Sequence, residues 1–150
     1  MMSKFSFVPG SPTIVFQATV SARQTARALL ALDTGATFCQ ISNGVANFIG
    51  LDLSSPIRQI ELVTGSDVVY APVVHLPQLD IFGRTVRQLE VVVRNLPPRA
   101  RLDGVLGLNF FLDYNLFINY GKGVLVIQDR IPKSPWHRFL QAVELWRAMK

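Results

Sequence analysis

The stretch that decides the fold is ALLALDTGAT, residues 28–37. Its first half is an apolar run of strand length, which delivers one carboxylate, Asp33, to the start of a small-residue loop. A carboxylate in apolar company is costly unless it has a partner. Gly35 permits unusual backbone angles and lets another chain approach closely. The alternative is that Asp33 only forms a turn, with its carboxylate accepting hydrogen bonds from nearby backbone amides.

The segments on either side of this loop predict further short elements. Residues 12–20 and 26–33 are predicted as consecutive strands joined by the polar turn 21–25. After the loop, TFCQIS (37–42) predicts another short strand. Ser42 is a typical N-cap, and Gly50 a typical end, for a short helix in the sequence NGVANFIG.

The chain up to about residue 128 has the pattern of an all-β domain, with short apolar runs separated by Gly, Pro and Asn. A long hairpin is predicted from residues 58–63 and 68–76, with its turn at 64–67. Segment 104–114 is apolar and is predicted to become helical after Gly107. The remaining predicted strands are 78–82 and 85–94, joined by Gly83-Arg84, followed by 115–120 and 123–128.

Residues 134–150 predict an amphipathic C-terminal helix that begins at Ser134 and Pro135. Its apolar stripe consists of Trp136, Phe139, Leu140, Val143 and Trp146. We expect this stripe to pack on the β domain or on a partner subunit. The alternative is an interfacial membrane helix, since Trp and basic residues suit a headgroup boundary, although Glu144 and the short length count against it.

Composition narrows the class of protein. The 150 residues suffice for one domain with a substantial core. Apolar residues make up 49% of the chain and charged residues 17%. A single domain of this size is expected to leave some apolar side chains at its surface, and a subunit interface would bury them. The net charge of +5 comes without a cluster of basic and aromatic residues, and no nucleic-acid partner is predicted.

The same counts limit cofactor chemistry and location. One cysteine, Cys39, and two histidines are too few for a disulfide framework or a structural zinc site. We expect Cys39 to be a buried small hydrophobe, not a nucleophile. Neither a leader-like N-terminal segment nor an apolar run of membrane-spanning length is present, which predicts a cytoplasmic location.

Several motifs together resemble the retroviral-type, or retropepsin-like, aspartic proteases. Leu32-Asp33-Thr34-Gly35-Ala36-Thr37 is similar to the catalytic loop of that family, and the hairpin turning at Thr64-Gly65-Ser66 lies where the family has its flap. Val105-Leu106-Gly107 resembles the second family signature, which braces the catalytic loop. The resemblance spans about residues 12–128 and implies an all-β closed barrel of the acid-protease type, with one lobe per chain.

The resemblance also implies a function and a set of site residues. It implies a homodimeric aspartic endopeptidase acting on peptides or proteins without a metal or cofactor, in which Asp33 of each subunit is catalytic. Thr34, Gly35, Ala36 and Thr37 would support the catalytic loop. The flap would comprise Val63, Thr64, Gly65, Ser66 and Asp67, while Val105, Leu106 and Gly107 would brace the loop and shape a subsite.

The protease domain is assigned to residues 1–132 and the helical extension to 133–150. The family usually has an acidic residue at the position of Thr37 and an arginine at that of Leu108, so this chain departs from the retroviral pattern. The competing function is a catalytically silent module that keeps the fold as a dimerisation or peptide-binding unit.

Overall fold

The structure is a computed structural model that describes residues 1–130 and 134–150, without the side chain of residue 137. The predicted domain boundary between residues 132 and 133 lies outside the described residues. The strands are β1 (Met2–Ser6), β2 (Val15–Ser21), β3 (Thr25–Leu32), β4 (Cys39–Ile41), β5 (Arg58–Val63), β6 (Val68–Ile81), β7 (Arg84–Val93), β8 (Gly104–Leu106), β9 (Tyr114–Asn119) and β10 (Val124–Asp129). The α-helices are α1 (Asn43–Ile49) and α2 (Pro135–Met149), and 3₁₀ turns span Pro98–Ala100 and Leu108–Phe111.

The chain forms two compact units. The larger comprises Val15–Phe110, and the smaller combines Met1–Ile14 with Phe111–Lys150. All of the predicted site residues belong to the larger unit.

The larger unit is a closed barrel of six strands. The strand order β2-β3-β8-β4-β7-β6 returns to its start because β6 also pairs with β2, and β5 extends the sheet beyond β6. Closure leaves few unpaired backbone groups at the sheet edges. Fully buried side chains fill the interior: Val20, Leu30, Ile41, Leu76, Leu79, Val91 and Leu106. The predicted all-β, closed-barrel fold is therefore confirmed.

The short helix α1 begins and ends as its sequence predicts. The Ser42 hydroxyl accepts a hydrogen bond from the Val45 amide at 3.2 Å, which caps the N-terminus. Gly50 follows the helix with φ 78°, and the Leu51 amide donates to the Ala46 carbonyl at 3.0 Å. This left-handed position is one that glycine adopts with little strain.

The predicted separation of strands 68–76 and 78–82 is wrong, because β6 runs through both. Pairing with β7 continues in one register on either side of Pro77, from Leu76 opposite Leu89 to Gln78 opposite Arg87. Proline removes only its own N–H from the ladder, while the buried side chains of Leu76 and Leu79 hold the strand in place.

The strands β1 and β8 were not predicted. β1 pairs along its length with β10, although its sequence MSKFS carries little strand pattern. β8 has only three residues and lies between β3 and β4. It is stabilised by parallel pairing with β3 and antiparallel pairing with β4. Both strands depend on long-range pairing, which a local pattern does not report.

The smaller unit is a three-stranded antiparallel sheet, β1-β10-β9, with α2 against β10. The Gln128 side-chain amide donates to the Gln141 carbonyl, and that of Gln141 donates to the Asp129 carbonyl. The stripe that was predicted to face the β domain is instead largely exposed, since Trp136, Phe139, Leu140 and Trp146 are all solvent-accessible. Packing of this stripe on the β domain is thus wrong, and its contact with a partner subunit stays a prediction. No helix among residues 1–130 and 134–150 has the length and apolar character needed to cross a membrane.

Candidate active site

Asp33 lies immediately after β3, at the start of an exposed turn. Its Oδ1 accepts a hydrogen bond from the Gly35 amide at 2.9 Å, and its carbonyl accepts one from the Ala36 amide at 3.2 Å. The buried residues Leu30 and Ala31 anchor the strand behind it. The carboxylate is therefore held by its own loop and remains open to solvent.

A second glycine loop runs beside the first and is joined to it by backbone hydrogen bonds. The Asp33 amide donates to the Leu106 carbonyl at 3.1 Å, because β3 and β8 are parallel neighbours. In return, the Leu108 amide donates to the Ala36 carbonyl at 2.8 Å, and the Asn109 amide to the Thr37 carbonyl at 3.1 Å. The structure thus brings together the two motifs, Asp33–Thr37 and Val105–Gly107, that lie about 70 residues apart in sequence.

Gly107 is the point of closest approach between these loops. A Cβ atom at this position would lie 2.4 Å from the Phe38 carbonyl oxygen and 2.9 Å from that of Ala36. Both distances are far below van der Waals contact, and backbone atoms cannot move aside as a side chain can. Only glycine therefore fits between the loops.

Two residues that sequence reasoning did not assign to the site, Asn109 and Cys39, connect the loops further. The Asn109 Oδ1 accepts from the Cys39 amide at 2.8 Å, while its Nδ2 donates to the Glu90 carbonyl on β7 at 2.7 Å. In the sequence, the one signal for Asn109 was that it is a polar residue within the apolar run 104–111.

Cys39 is buried, and its sulfur accepts a hydrogen bond from the Gly107 amide at 3.3 Å. Burial raises the pKa of the Cys39 thiol to about 11, although backbone hydrogen bonds from Gly107 and Phe110 oppose the shift. A thiol with such a pKa is almost fully protonated at neutral pH, which suits a packing role.

The predicted flap is a hairpin of β5 and β6, paired from Arg58 opposite Val73 to Val63 opposite Val68. At its tip, the Thr64 hydroxyl donates to the Asp67 carbonyl at 2.9 Å and accepts from the Asp67 amide at 3.2 Å. Gly65, Ser66 and Asp67 are exposed. Val63 exposes 81% of its surface although it is apolar.

An open cleft of about 440 Å³ lies between the Asp33 loop and the strand β5 of this hairpin. Its walls come from the loop, from β5 and from the strands beneath: Gly35, Ala36, Thr37, Phe38, Gln40, Ile60, Glu61, Leu62 and Val92. Neither Asp33 nor Val105 is among the described residues that line it, and the hairpin tip lies outside the lining as well. The arrangement places an apolar groove next to an exposed carboxylate.

Arg58 and Glu90 hold the hairpin base to the barrel. The Arg58 Nη2 lies 2.6 Å from the Glu90 Oε2, and the guanidinium carbon lies 5.3 Å from the centroid of the Phe38 ring. Hydrogen bonding from Arg58, reinforced by its charge, lowers the pKa of Glu90 below its usual value. Because β5 is the last strand of the sheet, these contacts supplement its single ladder with β6.

Comparisons with known proteins agree with this geometry. The family described as gag-polyprotein putative aspartyl protease matches residues 17–113. A retropepsin-like aspartic protease from Rickettsia conorii superimposes with a TM-score of 0.62 at 16% identity, covering 85% of this chain and 92% of that one. At this identity the structural match shows the shared fold. A search of curated proteins found no match. Since the family match covers well over half of the chain, including both glycine loops, the chain belongs to the retropepsin-like aspartic protease family.

Proposed function

We propose that this protein is an aspartic endopeptidase that acts as a homodimer, with Asp33 of each subunit forming the catalytic pair. The observation that carries the proposal is the exposed Asp33 carboxylate at the end of β3, on a loop held by a second glycine loop. An apolar groove lined by Gly35 and Ala36 begins beside it.

The homodimer follows from the number of catalytic loops. The chain contains a single Asp-Thr-Gly sequence, at residues 33–35. Chemistry between two carboxylates therefore needs a second copy, related by a two-fold axis on which the two Asp33 side chains meet. Exposure of Asp33, Thr34 and Gly35 in the single chain supports this arrangement.

The chemistry is that of a carboxylate pair sharing one proton, as is general for aspartic proteases. Two like charges in such proximity do not both ionise easily, and the two apparent pKa values belong to the pair. One carboxylate takes a proton from a water between them, and the other protonates the carbonyl oxygen of the substrate as the water attacks. Positioned proton transfer of this kind contributes on the order of 100- to 10,000-fold to the rate.

The neighbouring residues take supporting roles in the proposal. Thr34 would lock the two catalytic loops together, and Gly35 with Ala36 would line the substrate backbone. Thr37 would support the loop from its far end. The flap, from Val63 to Asp67, would close over a bound peptide, and Val105 to Gly107 would hold the catalytic loop in place.

Cleavage of a mixed peptide library at several pH values tests the proposal. We expect Asp33→Asn, which removes both carboxylates of the pair, to lower the cleavage rate at least about 1,000-fold, with an unchanged circular dichroism spectrum. Asp113→Asn, which alters an exposed aspartate outside the loop, is the matched control and should cleave like the wild type. Absence of cleavage by all three proteins would contradict the proposed enzymatic activity. It would favour the alternative function, a catalytically silent module that binds peptides.

A further inference from the structure

The outer face of α2 is an aromatic surface that points away from its own sheet. We define this outer face as Trp136, Phe139, Leu140 and Trp146, whose exposed fractions are 64%, 56%, 42% and 60%. At 100° per residue these four side chains fall on one side of the helix. Gln141, which is bonded to β10, lies on the opposite side. The helix thus turns a less apolar side to the protein and its aromatic side to the outside.

Basic groups accompany this face. At the same 100° per residue, Arg147 and Lys150 fall on this side of the helix, and residues 134–150 contain a single acidic residue, Glu144. The Lys150 ammonium lies 3.4 Å from the centroid of the Trp146 ring, so one cation sits directly on the aromatic face. The whole chain carries a net charge of +5. A partner for this face should therefore be apolar in its interior and negative at its surface.

We propose that the outer face of α2 binds the surface of a membrane that contains anionic lipids. Tryptophan rings favour the boundary between headgroups and acyl chains, and basic side chains beside them attract anionic headgroups. A helix of 15 residues is about 22 Å long, shorter than the ~30 Å hydrocarbon core, so α2 would lie along the surface. This explains why four large apolar side chains remain uncovered.

Charge distinguishes a membrane from a second copy of this helix. Pairing two outer faces would bring together two copies of a chain that each carry a net charge of +5, and like charges oppose association. An anionic lipid surface has the complementary sign. The proposal does not depend on proteolysis, so its test needs no activity assay.

The tryptophans provide a direct readout. The chain contains two tryptophans, Trp136 and Trp146, and both belong to the outer face of α2. We expect their fluorescence emission to shift to the blue when full-length protein meets vesicles of phosphatidylcholine mixed with phosphatidylglycerol. Vesicles of phosphatidylcholine alone should give a much smaller shift, and added salt should weaken binding to the mixed vesicles.

Two exposed phenylalanines give a matched pair of variants. Phe139 belongs to the outer face and is 56% exposed, while Phe48 lies on α1 and is 59% exposed. In co-sedimentation with the mixed vesicles, Phe139→Ser should weaken binding about fivefold or more, and Phe48→Ser should leave it unchanged. Glu144→Gln should strengthen it roughly two- to fivefold, because one repelling charge is removed.

Unchanged emission with the mixed vesicles would overturn the proposal. Equal losses in the two phenylalanine variants would also overturn it, since binding would then not be specific to α2. A blue shift that grows with protein concentration in the absence of lipid, with none on vesicles, would instead identify the face as a contact between protein copies.

Discussion

At the scale of single residues, the contact between the two glycine loops is the most sensitive point of the site. An alanine at position 107 would place its Cβ 2.4 Å from the Phe38 carbonyl oxygen and 2.5 Å from the carbonyl carbon. To relieve this steric clash, the Asp33 loop and the second glycine loop would have to separate. This separation would disturb the hydrogen bonds that position Asp33.

We therefore expect Gly107→Ala to lower the free energy of unfolding by at least about 2 kcal/mol. Gly65→Ala is the control, because a Cβ at the hairpin tip would meet no atom within 4 Å, and its effect should stay within about 1 kcal/mol. Chemical denaturation of both variants measures the difference. Equal stability of the two variants would show that the loops are not in tight contact.

The buried thiol gives a second prediction. With a pKa of about 11, Cys39 has about one thiolate in a thousand molecules at pH 8. A disulfide exchange reagent should therefore react with the folded protein at least about 100-fold more slowly than with the protein unfolded in guanidinium. The chain has one cysteine, so the signal has a single source. Similar rates in the two states would place the sulfur at the surface.

At the scale of elements, the flap hairpin depends on a few contacts at its base. Among the described strands, β5 pairs with β6 alone, and the Arg58–Glu90 ion pair joins it to β7. Ile60 and Leu62 add apolar contacts with the cluster of Ala71, Val73 and Val92. The tip beyond them relies on the Thr64–Asp67 hydrogen bonds, which leaves it more free to move than its base.

The Arg58–Glu90 pair makes a pH-dependent contribution with a defined sign. Arg58 lowers the pKa of Glu90 in the folded state, so the contribution is fully present above the unfolded pKa of about 4.3 and is lost as the pH falls through the lower folded pKa. We expect Arg58→Gln to raise the pKa of Glu90 towards its usual value, as measured by NMR titration of the side-chain carboxyl.

Above pH 5, the free energy of unfolding of Arg58→Gln should then be lower than that of the wild type. In strong acid the two values should converge. Glu90→Gln removes the same pair from the other side and is the matched comparison. A pKa of Glu90 that does not move in Arg58→Gln would show that the pair does not form in solution.

At the scale of the whole molecule, the proposed shared site makes activity depend on both subunits. Asp33→Asn mixed equally with the wild type should give about one quarter of the wild-type activity at the same total protein, because heterodimers carry one carboxylate. Native mass spectrometry with a mass-tagged variant establishes that subunits have exchanged. An activity of about one half would show that each chain works alone.

How far the fold could be predicted varied from element to element. The strand ending at Asp33, the capped helix α1 and the hairpin with its tip at residues 64–67 carry local signals, and the structure has each of them. The continuous strand β6 through Pro77, the edge strand β1 and the short strand β8 were not predicted. Their formation depends on partners distant in sequence, so no local window contains the stabilising contacts.

For the site and for α2, too, some features have a local sequence signal and others depend on the tertiary structure. Local chemistry was sufficient to single out Asp33 and Gly35, because a carboxylate at the end of an apolar strand, followed by a glycine, is unusual. Gly107 was singled out by the resemblance of its motif to a family signature. The bridging role of Asn109 and the exposure of the stripe on α2 appeared only once the chain was folded. Amphipathicity reports that a helix has an apolar side, but the direction in which this side faces depends on which other surfaces the folded chain leaves open.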